Sequence, residues 1–198
     1  MQSNSPAVQP TDRTGDEGDI ARLLTSRWHL GSGDFFRCVT CIARDEKVVP
    51  DIDLLRVYSN PYHPEEDQVV GYELKLLKYH EGYKRIPMDP LYSGLGQVLC
   101  YFQYGVDRAE LVLGFHSNCD SHPEHADALE RQLKEVCEFL GRSVFAHFPY
   151  LCISMIRGDS RNYLLYKSDW ENAVFSHDET AKLRRQCILR KQFVFRKG

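Results

Sequence analysis

Residues 69–78, Val-Val-Gly-Tyr-Glu-Leu-Lys-Leu-Leu-Lys, read as a strand apolar enough to be buried, yet Glu73 and Lys75 stand at its centre. Alternate residues of a strand share a face. Val69, Gly71, Glu73, Lys75 and Leu77 then point one way, and Val70, Tyr72, Leu74 and Leu76 the other. Apolar neighbours on both faces predict a central strand covered from both sides. A charged pair in such a place is costly unless each charge finds a partner or a metal. Any chemistry the chain carries is therefore expected first at Glu73-Leu74-Lys75.

The segments around this strand set its neighbours. A helix is expected from about Asp16, with Ile20, Leu23, Leu24 and Trp28 as its apolar stripe, and residues 1–15 read as a mobile tail. Glu17 falls on the core-facing side of that helix; it is either a first-turn acid that suits the helix dipole or a candidate metal ligand. Strands follow over 35–43 and 50–58, and with 69–78 they predict an antiparallel meander. Asp89-Pro90 marks a helix start, Asp89 as N-cap. Leu91, Leu95, Val98 and Phe102 keep helical spacing, with Gly94, Gln97, Tyr101 and Tyr104 as the next stripe. Gly94 and Gly96 each cost a helix about 1 kcal/mol relative to alanine, which suggests a close approach there. A strand over 110–115, a helix over 124–140 and a strand over 150–156 predict a parallel crossover. Beyond it, 163–166 and 187–195 read as strands, with a short helix near 178–185.

An antiparallel hairpin turning near residue 63 sets Asp53 opposite Glu73, with Cβ atoms roughly 5 Å apart. Two carboxylates this close repel unless a cation lies between them. All-oxygen ligation favours Mg²⁺ or Mn²⁺. Lys75 is one step along the same face. Asp51 shares the face of Asp53 and is the alternative ligand; Asp53 is preferred because it pairs with Glu73 directly.

A helix with Glu17, a strand, Pro50-Asp51-Ile52-Asp53, then Glu73-Leu74-Lys75, then Gln97-x-x-x-Tyr101 resembles the PD-(D/E)XK nuclease superfamily, in its RecB-like and lambda-exonuclease-like branches. The resemblance covers residues 16–115, with 124–156 fitting the usual extension. It implies an α/β restriction endonuclease-like fold: an αβββαβ core with a central mixed sheet flanked by helices, spanning 16–156; Phe193, Val194 and Phe195 within the C-terminal basic extension, 157–198, suggest that it packs on that core or on an oligomer partner. It implies a divalent-metal-dependent deoxyribonuclease working in DNA repair, recombination or defence. Asp53 and Glu73 would bind Mg²⁺ or Mn²⁺ together with the Leu74 carbonyl, and Glu17 through a water. Lys75 would position the attacking water and offset charge on the phosphate, and Gln97 and Tyr101 would brace the site or touch the substrate strand. A homodimer is plausible on the same grounds. The rival expectation is a nuclease-like domain that binds nucleic acid or a protein partner without cutting.

Net charge of −3 gives no global sign of nucleic-acid binding, so a local patch must supply it. The stretch after Glu179 holds Lys182, Arg184, Arg185, Arg190, Lys191, Arg196 and Lys197; Arg184, Arg185, Arg190 and Lys191 are the candidates for tracking a phosphate backbone. A solvated face is the plainer alternative. Cys38-x-x-Cys41 has zinc spacing, but residues three apart in a strand diverge. His116, Cys119, His122 and His125 also have ligand-like spacing, yet read as a polar loop. Seven cysteines, no apolar run of membrane-spanning length and a polar, uncharged first ten residues predict a reduced, cytoplasmic protein, nucleoid-associated if bound to DNA.

Overall fold

A computed structural model describes residues 15–26, 33–40, 42–43, 46–47, 51–143, 150–157, 161–168, 178–191 and 194–195. The proposed tail up to residue 14, Trp28, Cys41, Pro50, Phe193 and the last three residues lie outside them. The chain is an α/β protein with a seven-stranded mixed sheet in the order β8-β7-β6-β5-β4-β1-β9. These strands are β1 (Asp34–Thr40), β4 (Ile52–Tyr58), β5 (Gln68–Leu77), β6 (Arg108–Phe115), β7 (Leu151–Arg157), β8 (Arg161–Lys167) and β9 (Val194–Phe195). A separate two-stranded ribbon pairs β2 (Ile42–Ala43) with β3 (Glu46–Lys47). Four α-helices, α1 (Glu17–Ser26), α2 (Asp89–Cys100), α3 (Pro123–Ser143) and α4 (Glu179–Leu189), and three short 3-10 turns, Pro64–Glu66, Tyr101–Tyr104 and Ser117–Ser121, complete the described elements.

The sheet changes direction at β5. β1, β4 and β5 form the antiparallel meander, whereas β5–β6 and β6–β7 are parallel, the second pair joined by α3. β5 is covered on both faces, which its near-continuous apolar run required. Val70, Tyr72 and Leu74 pack with Leu54, Val112 and Ile156 under Ile20, Ala21, Leu23 and Leu24 of α1. Val69 and Leu77 point the other way, into the larger core with Leu91 and Val98 of α2 and Leu129 and Leu133 of α3. Ile20 and Leu24 are fully buried, and each such side chain contributes about 1.5–3 kcal/mol through burial.

Two glycines permit the packing of helices on this frame. A β-carbon at Gly94 would lie 2.5 Å from Leu111 Cδ1 and 3.0 Å from Lys75 Cγ, so the missing side chain lets α2 settle directly on β5 and β6. Gly96, also expected to be a contact, faces open space instead. Gly105, at φ +83°, ends the 3-10 turn Tyr101–Tyr104, and a β-carbon there would lie 2.5 Å from the Arg185 nitrogen of α4.

Three local expectations need correction. Asp89 is the first residue of α2 and Met88 its N-cap, with no side-chain capping bond; the Leu91 N–H is taken by the Met88 carbonyl at 2.9 Å. Residues 187–189 belong to α4, and among the described residues of this stretch Val194–Phe195 is the strand. Asp178 caps that helix by accepting from the Ala181 N–H at 2.7 Å, and Ala181 and Ile188, two turns apart, are its buried face. The C-terminal stretch also does more than pack on the core, since β8 and β9 form the two edges of the sheet.

Candidate active site

The register of β4 and β5 brings the two central acids together. Leu54 pairs with Tyr72, which makes Asp53 and Glu73 the next cross-strand neighbours. The backbone ladder stops at that point. Instead of a carbonyl of β4, the Asp53 carboxylate accepts the Leu74 N–H, at 2.9 Å. N–H and C=O of one strand residue address the same neighbour, so the Leu74 carbonyl shares the side on which Asp53 lies.

Glu73 is fully buried. Its Oε2 accepts from the Tyr101 hydroxyl, which also lies 3.1 Å from the Asp51 carbonyl. Oε1 lies 2.5 Å from the Lys75 ammonium, its ion-pair partner. Burial, then the nearby Asp53 charge, push the Glu73 carboxyl up to about 7. Burial also raises Asp53, against the Leu74 N–H and Lys75, which lower it. Lys75 is held above its ordinary value: burial opposes its charge, but Glu73, Asp53 and Glu17 outweigh it. Burial and the Glu73 charge push Tyr101 far up, so it remains a hydroxyl donor.

Two crowded carboxylates, one of them fully buried beside a single ammonium group, are a donor set that a hard divalent cation fits. Asp53 and Glu73 are the acids that the strands bring together. Glu17, expected on the core side of α1, opens that helix one turn before Ile20 and keeps an exposed side chain; partial desolvation of its carboxyl, then the Asp53 charge, raise its pKa against Lys75 and Lys78. Among the described residues no three His, Cys, Asp or Glu side chains converge as a metal-holding group. The His116–His125 stretch disperses accordingly. His116 accepts from the Asn118 N–H at 2.9 Å, Cys119 is buried, and His122 stacks on Tyr79 with centroids 3.6 Å apart.

Gln97 lies between Gly94, which touches Lys75, and Tyr101, which opens the 3-10 turn after α2 and touches Glu73. Its amide is half-buried and makes no hydrogen bond to the described residues. Arg37 of β1 and Lys78 were not singled out from the sequence. The Arg37 guanidinium lies beside Gly18 at the start of α1 and its field lowers Asp53; Lys78 is exposed just past β5. A period-2 reading of β1 exposes Arg37, but nothing in the sequence pairs it with a carboxylate sixteen residues later.

The C-terminal cations are largely engaged within the fold. Arg185 donates to Asp107 and to the Asp67 carbonyl, both at 2.7 Å, and Arg184 donates to the Gln103 carbonyl at 2.8 Å over the Tyr104 ring. Lys191 pairs with Asp34 at 2.6 Å, while Arg190 is exposed. Asp67 precedes Glu73 by six residues of extended chain, so this helix anchors roughly 20 Å along β5 from the acidic pair.

Comparison with protein-family models, curated proteins and solved structures returns no match. The class defined by the fold is thus that of an α/β protein with a mixed sheet flanked by helices, and no helix among the described residues is long and apolar enough to cross a membrane.

Proposed function

We propose that this protein is a divalent-metal-dependent phosphodiesterase that hydrolyses DNA, with a restriction endonuclease-like core of the PD-(D/E)XK type. The observation that carries the reading is the Asp53–Glu73 pair at the end of the β4–β5 ladder, with Lys75 against the otherwise unbonded Glu73 Oε1. A non-catalytic core gains little from burying two like charges beside each other. The order α1, β1, β4, β5, α2, β6 also follows the αβββαβ pattern that the resemblance implies.

Asp53, Glu73 and the Leu74 carbonyl would hold Mg²⁺ or Mn²⁺, with Glu17 contributing through a water. The ion supplies acidified water and polarisation of the phosphate. Lys75 offsets charge on the phosphate and orients the attacking water. Tyr101 holds Glu73 by its hydroxyl. The Gln97 amide faces the substrate strand, and Arg37 and Lys78 meet flanking phosphates. The absence of a converged three-acid group among the described residues favours a second reading, in which the same surface binds nucleic acid or a protein without cutting.

Cleavage of linear and circular, single- and double-stranded DNA with Mg²⁺ or Mn²⁺ separates the two. Cutting that disappears in EDTA and in folded Glu73→Ala and Lys75→Ala variants supports hydrolysis. DNA binding without cutting on any substrate, and no metal-dependent rise in melting temperature, supports the second reading.

A further inference from the structure

We infer that the hairpin leaving β5, His80–Arg85, and the cavity behind it form a platform for unpaired nucleotides, so that the substrate enters as a single strand or a frayed end. The inference rests on the nucleic-acid reading above and adds the form of the substrate. His80 and Arg85 bridge to close the hairpin, through the His80 N–H to the Arg85 carbonyl at 2.9 Å. Tyr83 is 69% exposed at its tip, with His80 tilted against it at 4.4 Å and the Arg85 guanidinium 5.8 Å from its ring. An exposed aromatic ring with a cation over it is what base stacking beside a phosphate chain uses.

Lys78, Lys84 and Arg85 make no ion pair with the described residues, unlike Lys182, Arg185 and Lys191 of the C-terminal stretch, whose charges are taken by Glu179, Asp107 and Asp34. The acids nearby, Glu81 and Glu124, lie 3.6 and 3.5 Å from His122 and His125. Behind the hairpin a cavity of about 440 Å³ opens between residues 85–89 and α3, within the size range of small-molecule sites. Met88 and Leu129 give it apolar walls, while Asp89 and Gln132, whose side chains have no partner among the described residues, supply an acceptor and an amide for a base edge.

The cavity is close enough to the acidic pair to serve it. Gly94 touches Lys75, and Asp89 lies five residues earlier on the same helix, about 8 Å along its axis. A base held at the start of α2 and a phosphate near Lys75 would then lie beside the same helix. Helical duplex offers no unstacked base to such a cavity, which makes the unpaired strand the form it accepts.

The test is equilibrium binding of a fluorescein-labelled single strand and of the matching duplex to the full chain in EDTA, followed by anisotropy. Tyr83→Ala is expected to weaken single-strand binding about 5- to 150-fold, the range of one lost stacking contact. Arg85→Ala is expected to lower the slope of log K against log salt by about 0.7. Tyr83 and Arg85 are both exposed, so the substitutions leave the fold intact, and unchanged duplex binding serves as the control. Unaltered single-strand affinity in both variants, or a wild type that cuts duplex but does not bind single strands, overturns the platform and leaves the hydrolytic reading standing. A wild type that neither binds nor cuts any DNA overturns both.

Discussion

Glu73→Gln should make the metal-free protein more stable in mild alkali, even though it alters the centre of the proposed site. The Glu73 carboxyl ionises near 4.5 in an unfolded chain and at about 7 in the folded one. Between those values the folded state holds a proton that the unfolded state has lost, so stability falls as pH rises, by about 1.4 kcal/mol per unit. The stabilisation from the protonated acid is complete below about pH 4.5 and gone above 7, a total of about 3 kcal/mol. Glutamine has nearly the same shape, can still accept from Tyr101, and does not titrate. Relative to wild type, the variant should gain about 1 kcal/mol or less at pH 5 and about 3 kcal/mol by pH 8, the latter about 6–12 °C in melting temperature for a chain of this size. Thermal unfolding followed by circular dichroism in EDTA at both pH values measures it, because histidines and other groups titrate in both proteins and cancel. Adding Mn²⁺ at pH 8 should then raise the wild-type melting temperature and leave the variant unmoved, narrowing or reversing the gap. A difference between the two proteins that is the same at pH 5 and pH 8 would refute the account of Glu73 as a buried, proton-holding acid.

The paired glycines of α2 make a sharper packing test. Gly94→Ala should cost about 1–3 kcal/mol through overpacking against Leu111 and Lys75, while Gly96→Ala, opening onto space, should gain about 0.5–1 kcal/mol; urea unfolding of both decides it. Tyr101→Phe removes the hydroxyl that lowers the Glu73 pKa, so that value should move above 7 in a carboxyl-resolved NMR titration, with about 1–3 kcal/mol of stability lost. Arg185→Ala should cost about 1.5–3 kcal/mol and release the amides of α4 to hydrogen exchange while those of β5 and β6 stay protected.

The central hairpin was legible because two signals agree. The turn residues around 60–64 fix the midpoint, and apolar alternation fixes which residues share a face, so Asp53 fell opposite Glu73 without any tertiary information. The stripe of Gly94, Gln97 and Tyr101 was legible from helical spacing alone. What failed was long-range pairing. Arg184 and Arg185 look like a free basic run until Gln103, Asp107 and the Asp67 carbonyl, all distant in sequence, take up their donors. Helix α4 was cut short because Cys187, Ile188 and Leu189 make an apolar run that short windows assign to a strand, whereas only Ile188 of the three is buried. Glu17 opens α1, where the first turn of a covering helix can extend past the strands that it covers, so its side chain is exposed while its carboxyl still feels Asp53 and Lys75.

The way Glu73 is buried also divides the folding reaction in time. Asp53 and Glu73 become neighbours once β4 and β5 pair across residues 59–67, a contact between segments close in the chain. The Tyr101 hydroxyl and Gly94, which seal Glu73 and Lys75 from water, arrive only when α2 docks. If the hairpin forms in the transition state and α2 docks after it, Glu73 is still hydrated at the barrier and feels its ionisation cost only in the native state. Raising the pH from 5 to 8 is then expected to leave the folding limb of the chevron in place and to speed unfolding by about a hundredfold. A folding limb that moves instead would mean that α2 is already seated on β5 when the chain crosses its barrier.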